Sequence, residues 1–178
     1  GEPLIRRGVH ELFEGLGALA GLDSLALTTN GSQLADSGHA LRDAGVNSIN
    51  ISLDSLQAER FKAITRIGDL NTVLRGIDRA VECGFDRIRL NAVILDGLNR
   101  DEVVPLTHYA LDRGIHIAFI EEMPLGQVNV GGKPLAYVSS DTLQKELAER
   151  FTLVPMTASD TAGPARDFLI AGSQTQVG

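Results

Sequence analysis

Arg89 lies at an alternating position of the aliphatic run from Arg87 to Leu95, and a guanidinium on the inner face of a strand requires an anion or a paired carboxylate. A bound anion satisfies it, and so does a structural pair with Glu121 or Asp54. Polar residues recur at the carboxyl ends of the other short apolar runs: Thr28, Thr29 and Asn30, then Ser52 and Asp54, then Asn91, then Glu121, Glu122 and Met123. Such mostly neutral groups suit the holding of a polar ligand's carboxylate, hydroxyls and ring nitrogens better than acid–base turnover. Each also has a plainer reading. Thr28 to Asn30 before Gly31 can be a turn after a strand, and Asp54 with Ser55 can cap the next helix. Glu121 and Glu122 are adjacent in a strand and point to opposite faces, so at most one serves the interior, and no carboxylate metal site is expected there.

The other reactive residue types carry less. His10, His39, His108 and His116 lack the i,i+4 spacing of a zinc site and read as surface residues. Cys83 is the single cysteine, so neither a disulfide framework nor a cysteine metal site can be built from this sequence, and its place beside Gly84 marks it as a packing residue. Gly131-Gly132-Lys133 lacks the spacing of a phosphate loop and reads as a turn.

The elements that must position these residues alternate regularly. Strands are expected at 25–29, 48–53, 87–95 and 115–121, with helices at 33–44, 56–64, 70–83 and 101–112 and an earlier amphipathic stretch over 9–19. Leu70, Val73, Leu74, Ile77, Ala80 and Val81 recur at three- and four-residue spacing, the pattern of a helix with one apolar face. Gly45, Gly84 and Gly114 fall just past helix ends, where a left-handed residue closes a helix. Strand–helix alternation predicts an α/β protein with a parallel sheet. A polar face on Ser48, Asn50, Ser52 and Asp54, and again on Arg89 and Asn91, favours a TIM-type βα barrel with a wet interior over a doubly wound sheet buried on both faces.

The barrel repeat ends near Met123. Residues 126–134 read as loop, Ser139-Ser140-Asp141 as the cap of a helix reaching Arg150, and 151–156 with 168–171 as two strands of a lateral β extension joined by the turn-rich segment 157–164. The division predicted is a partial barrel over 1–125 and a linker, helix and start of an extension over 126–178. With 16 basic against 23 acidic residues, the net charge of −7 argues against a groove for polymeric nucleic acid. No apolar run is long enough to span a bilayer, and a cytoplasmic setting is expected.

Four phrases then align in order: Gly1-Glu2-Pro3-Leu4 with Arg6-Arg7, Leu27-Thr28-Thr29-Asn30-Gly31, Asn50-Ile51-Ser52-Leu53-Asp54, and Phe119-Ile120-Glu121-Glu122-Met123. Together with Leu90-Asn91-Ala92-Val93 and the weaker Gly163-Pro164-Ala165, they resemble the radical S-adenosylmethionine (SAM) GTP 3',8-cyclase family of molybdenum cofactor biosynthesis, over essentially the whole chain. The resemblance implies a lyase that cleaves SAM at one [4Fe-4S] cluster and abstracts hydrogen from GTP held near a second, forming (8S)-3',8-cyclo-7,8-dihydroguanosine 5'-triphosphate. It implies that Gly1 meets SAM through its backbone, that Ser52 and Met123 also contact SAM, and that Thr28 and Arg89 face GTP. No residue here is implied as catalytic or as a metal ligand.

Two positions depart from the family pattern, Arg89 where lysine is common and Ala118 where arginine is usual. The family's two cysteine motifs would lie upstream of Gly1 and downstream of Gly178, so the chain is expected to be an inactive internal fragment of an incomplete barrel, and a homodimer of the full-length protein is left open. Two alternatives stand beside this: another radical SAM enzyme that modifies a peptide or a tetrapyrrole, and a non-catalytic SAM- or nucleotide-binding barrel remnant.

Overall fold

A computed structural model describes residues 1–122, 129–130, 133–134, 136–157 and 166–178. Met123, most of the 157–164 connection and several positions of the 126–134 loop therefore lie outside the described residues. The chain forms two compact units, residues 1–53 with 57–90, and residues 54–56 with 91–178.

The first unit opens with a 3-10 turn at Pro3–Ile5 and continues through α1 (Val9–Gly17), β1 (Ala26–Thr29), α2 (Leu34–Asp43), β2 (Ser48–Ser52), α3 (Ala58–Thr65), α4 (Leu70–Cys83) and the first half of β3 (Arg87–Asp96). The predicted helices and strands fall within a few residues of these bounds, because each carries a period that burial can use. In α4, Leu70, Val73, Gly76, Ile77 and Ala80 are buried, Asp69 caps the amino end by accepting the Thr72 N–H at 2.7 Å, and Gly84 closes the carboxyl end at φ 68°. β1 and β2 pair in parallel with Thr28 opposite Asn50. Their alternate residues Leu27, Thr29, Ile49 and Ile51 are buried, as are Ile88 and Leu90 in β3. Each such aliphatic side chain contributes about 1.5–3 kcal/mol relative to exposure.

Two glycines let α4 approach the turn after β1. A Cβ on Gly76 would stand 2.3 Å from the Gly31 carbonyl oxygen, and Gly31 itself has φ 78°. The left-handed geometry expected from Asn30-Gly31 is thus present, and it brings a backbone carbonyl against the helix.

The second unit holds the rest of β3, a 3-10 turn at Arg100–Glu102, α5 (Val103–Asp112), β4 (His116–Glu121), β5 (Asn129–Val130), β6 (Lys133–Pro134), β7 (Ala136–Tyr137), α6 (Ser140–Ala148), β8 (Leu153–Pro155), β9 (Phe168–Ile170) and β10 (Gln176–Val177). Within the segment expected to be loop, 126–134, β5 and β6 form a short antiparallel pair; just after it, β7 pairs antiparallel with the end of β3. Ser139 caps α6 as expected, its hydroxyl accepting the Thr142 N–H. The lateral extension is present as the antiparallel pair β8–β9. β10, which the sequence did not announce, lies parallel to β4 through Val177 opposite Ile117 and antiparallel to β9.

The strand order is β1-β2-β3-β4-β10-β9-β8, with β7 attached to β3, and β3 contributes to both units. The first four strands keep chain order with helices between them, which is the signature of parallel crossover connections. The α/β expectation holds, as a mostly parallel sheet that does not close.

Candidate functional site

The first unit keeps one sheet face polar. Thr28 and Ser52 are exposed and Asn50 and Arg89 half-buried, whereas their sequence neighbours Leu27, Thr29, Ile49, Ile51, Ile88 and Leu90 are buried. The cause is strand alternation, which sends successive side chains to opposite sides. Asn50 donates its Nδ2–H to Thr28 Oγ1 at 3.4 Å, and the Arg87 N–H donates to the Asn47 carbonyl at 3.2 Å, which fixes the start of β3 against the residue before β2. Hydroxyl, carboxamide and guanidinium groups thus share one unit, a donor-rich set matched to phosphate, carboxylate and hydroxyl acceptors.

Thr29 and Asn30 take different roles from Thr28. Thr29 is 2% exposed and donates its hydroxyl to Glu2 Oε1 at 2.7 Å, and the Asn30 N–H donates to Glu2 Oε2 at 2.7 Å. Here the turn reading holds, and the carboxylate of Glu2 organises it. Sequence reasoning read the Gly1-Glu2-Pro3 phrase for the backbone of Gly1 and missed this function of its neighbour. The signal that could have found it is an acidic side chain placed before a 3-10 turn next to a strand ending in Thr-Asn. Gly1 is exposed, and a Cβ built there would meet no atom within 4 Å.

In the second unit the capping role considered for Asp54 and Ser55 does not hold. α3 begins at Ala58 after Gln57, with no side-chain cap. Asp54 Oδ1 instead accepts the Val93 N–H of β3 at 2.8 Å, while the Asp54 carbonyl accepts from Asn99 Nδ2 at 2.8 Å. Burial pushes the Asp54 carboxyl above its ordinary range, and the hydrogen bond from Val93 partly opposes that shift. The Ser55 hydroxyl donates to Glu102 Oε1 and the Leu56 N–H to Glu102 Oε2, both at 2.6 Å, which satisfies a carboxylate only 2% exposed. Asn91 is half-buried at the unit's end of β3.

Glu121 is held by Tyr137, whose hydroxyl donates to Oε2 at 2.7 Å, and by the backbone N–H of Ser140 at the start of α6. Hydrogen bonds from Ser140 and then Tyr137 lower its carboxyl to about 2. This carboxylate is therefore a clasp on the amino end of a helix. Ala118 and Ile120 line a cavity of about 490 Å³ together with Leu143, Leu147, Phe168 and Val177. Among the described residues, no cluster of three or more His, Cys, Asp or Glu could hold a metal ion. No helix formed by the described residues is long and apolar enough to cross a membrane.

These features belong to a known class. Residues 1–110 match the model of the radical SAM superfamily, and the chain belongs to that superfamily. Within it, the chain is 50% identical over its whole length to a GTP 3',8-cyclase of Ectopseudomonas mendocina, covering 54% of that protein, and 51% identical over its whole length to one of Pseudomonas entomophila, covering 53%. A GTP 3',8-cyclase of Saccharophagus degradans is 49% identical over 166 residues, which are 93% of this chain and 50% of that protein. The chain thus spans about half the length of the curated relatives it matches. A solved structure, TYW1 with a lysine-pyruvate adduct bound, shares the fold at TM-score 0.53 and 14% identity, over 91% of this chain and 52% of that one.

The superfamily implies SAM and a [4Fe-4S] cluster. The polar face of the first unit offers a donor set that suits the carboxylate and hydroxyl groups of SAM. The cluster finds no ligand set in this sequence, because Cys83 is the single thiol and burial pushes its pKa up, away from the thiolate form that binds iron.

Proposed function

We propose that this chain is part of the substrate-holding scaffold of a GTP 3',8-cyclase that carries out the first step of molybdenum cofactor biosynthesis. The observation that carries the reading is the shared polar face of Thr28, Asn50, Ser52 and Arg89 in a sheet whose opposite face is closed by aliphatic side chains. Near-50% identity to proteins of that name over the whole chain supports it.

In this reading the SAM contacts are Gly1, through an open backbone, the hydroxyl of Ser52 and the side chain of Met123, whose position lies outside the described residues. Thr28 and Arg89 face GTP. The guanidinium is always charged and offers a planar fork, so it matches a phosphate oxygen pair more closely than a single ammonium does. SAM at a [4Fe-4S] cluster would supply the radical chemistry, and the cysteines that would hold this cluster and a second one are not among these 178 residues. What these residues do is bind and orient. The protein works in the cytoplasm, and the boundary between barrel portion and extension falls near residue 125, inside the second compact unit.

The test is product identification. The complete protein, anaerobically reconstituted with iron and sulfide and given SAM, a strong reductant and GTP, is expected to yield a 3',8-cyclised GTP by mass spectrometry. SAM cleavage with GTP left intact would contradict the reading.

A further inference from the structure

Glu2 joins the segment carrying Gly1 to the strand end carrying Thr28. Its Oε1 accepts the Thr29 hydroxyl at 2.7 Å and the Leu4 N–H at 3.1 Å, and its Oε2 accepts the Asn30 N–H at 2.7 Å. The relay continues, since Thr29 Oγ1 accepts the Gly31 N–H at 3.1 Å and Asn30 Oδ1 accepts the Ser32 N–H at 2.9 Å. One carboxylate therefore fixes three donors, two of them 27 and 28 residues away, and through Thr29 a fourth. Hydrogen bonds to an ionised acceptor are the stronger kind, and the Thr29 hydroxyl makes its bond from a buried side chain, while the Asn30 N–H makes its bond at the surface.

We propose that Glu2 is a positioning residue that locks Gly1 and Thr28 into one rigid edge of the ligand face, so that both substrates of the proposed reaction depend on it although neither touches it. This rests on the functional reading above. Gly1 precedes the carboxylate by one residue and Thr28 precedes Thr29 by one, so loosening the clamp releases the backbone at both. A carboxylate acting by charge on the ammonium of SAM would behave differently, because only SAM would sense its loss.

The experiment uses the complete protein and equilibrium binding of SAM and GTP, measured separately, for Glu2→Ala, Glu2→Gln, Thr29→Val and the double variant Glu2→Ala with Thr29→Val. Glu2→Ala is expected to weaken both ligands by roughly tenfold, as for the loss of hydrogen bonds to a charged group. Glu2→Gln keeps an acceptor for the Asn30 N–H and an amide donor toward Thr29 Oγ1 while losing the acceptor of the Leu4 N–H, and is expected to stay within about threefold of the native protein for both ligands. Thr29→Val is expected to reproduce part of the loss, with the double variant no worse than Glu2→Ala alone. Loss confined to SAM, equal damage from Glu2→Gln and Glu2→Ala, additive effects in the double variant, or unchanged affinity would each overturn the proposal. If Glu2→Ala fails to fold, Glu2→Gln and Thr29→Val still decide between the two roles. Ser52→Ala and Arg89→Ala test the underlying reading separately: if neither changes the binding of SAM or GTP, that reading fails irrespective of Glu2.

Discussion

Glu121 behaves as a helix clasp because its partners are donors and its surroundings are wet. Its carboxyl is lowered to about 2 by Ser140 and Tyr137, so the native state favours the ionised form. The group's contribution is present in full above its ordinary value of 4.5 and disappears as pH falls from there through about 2. A carboxyl titration by NMR in the complete protein is expected to place the Glu121 midpoint near 2, and a midpoint near 4.5 would show that the clasp is not formed in solution. The sequence predicts Glu121 and Glu122 facing opposite ways on one strand, but β4 ends at Glu121. It did not reveal Tyr137 and Ser140 as partners, because contacts across 16 and 19 residues have no period to betray them. For the same reason Glu2 was legible as part of a phrase and not as a clamp, and Glu102 was not legible as the acceptor for Ser55 across 47 residues.

The elements were far easier to read than the contacts between their side chains. α4 combines an apolar stripe, an Asp cap and a closing glycine, three local signals that agree, and it forms over the predicted span. β10 has only Gln176 and Val177, too short for any alternation, and it exists because the Phe119 N–H donates to the Gly178 carbonyl and the Gly178 N–H to the Ile117 carbonyl. The close approach between α4 and the turn after β1 gives a prediction at this scale. Gly76→Ala would normally stabilise a helix interior by about 0.5–1 kcal/mol. Here the new methyl meets the Gly31 carbonyl oxygen at 2.3 Å, and overpacking of this kind costs about 1–3 kcal/mol. The urea midpoint is therefore expected to fall, and a rise would show that the turn yields without cost. Because Gly31 leads out of the turn held by Glu2, the same shift would disturb the strand end beneath Thr28.

At the scale of the molecule, the fold class followed from strand–helix alternation, and the proposed ligand-holding role rests on a polar face that a doubly wound sheet would have buried. The chain covers about half the length of its GTP 3',8-cyclase relatives, and in the proposed reading its residues hold and orient substrates rather than generate a radical. Its net charge of −7 makes a local cation on the polar face matter more in the proposed reading, since a polyphosphate is repelled by the net charge of the molecule and Arg89 offers it a local countercharge. The most direct measurement of that claim is a pair of titrations, GTP and SAM, on the complete protein and on its Arg89→Ala variant. The account predicts that GTP weakens by roughly tenfold or more while SAM stays within about twofold, the asymmetry of a lost charged hydrogen bond to one ligand. Equal weakening of both ligands would contradict it and make Arg89 a structural cation.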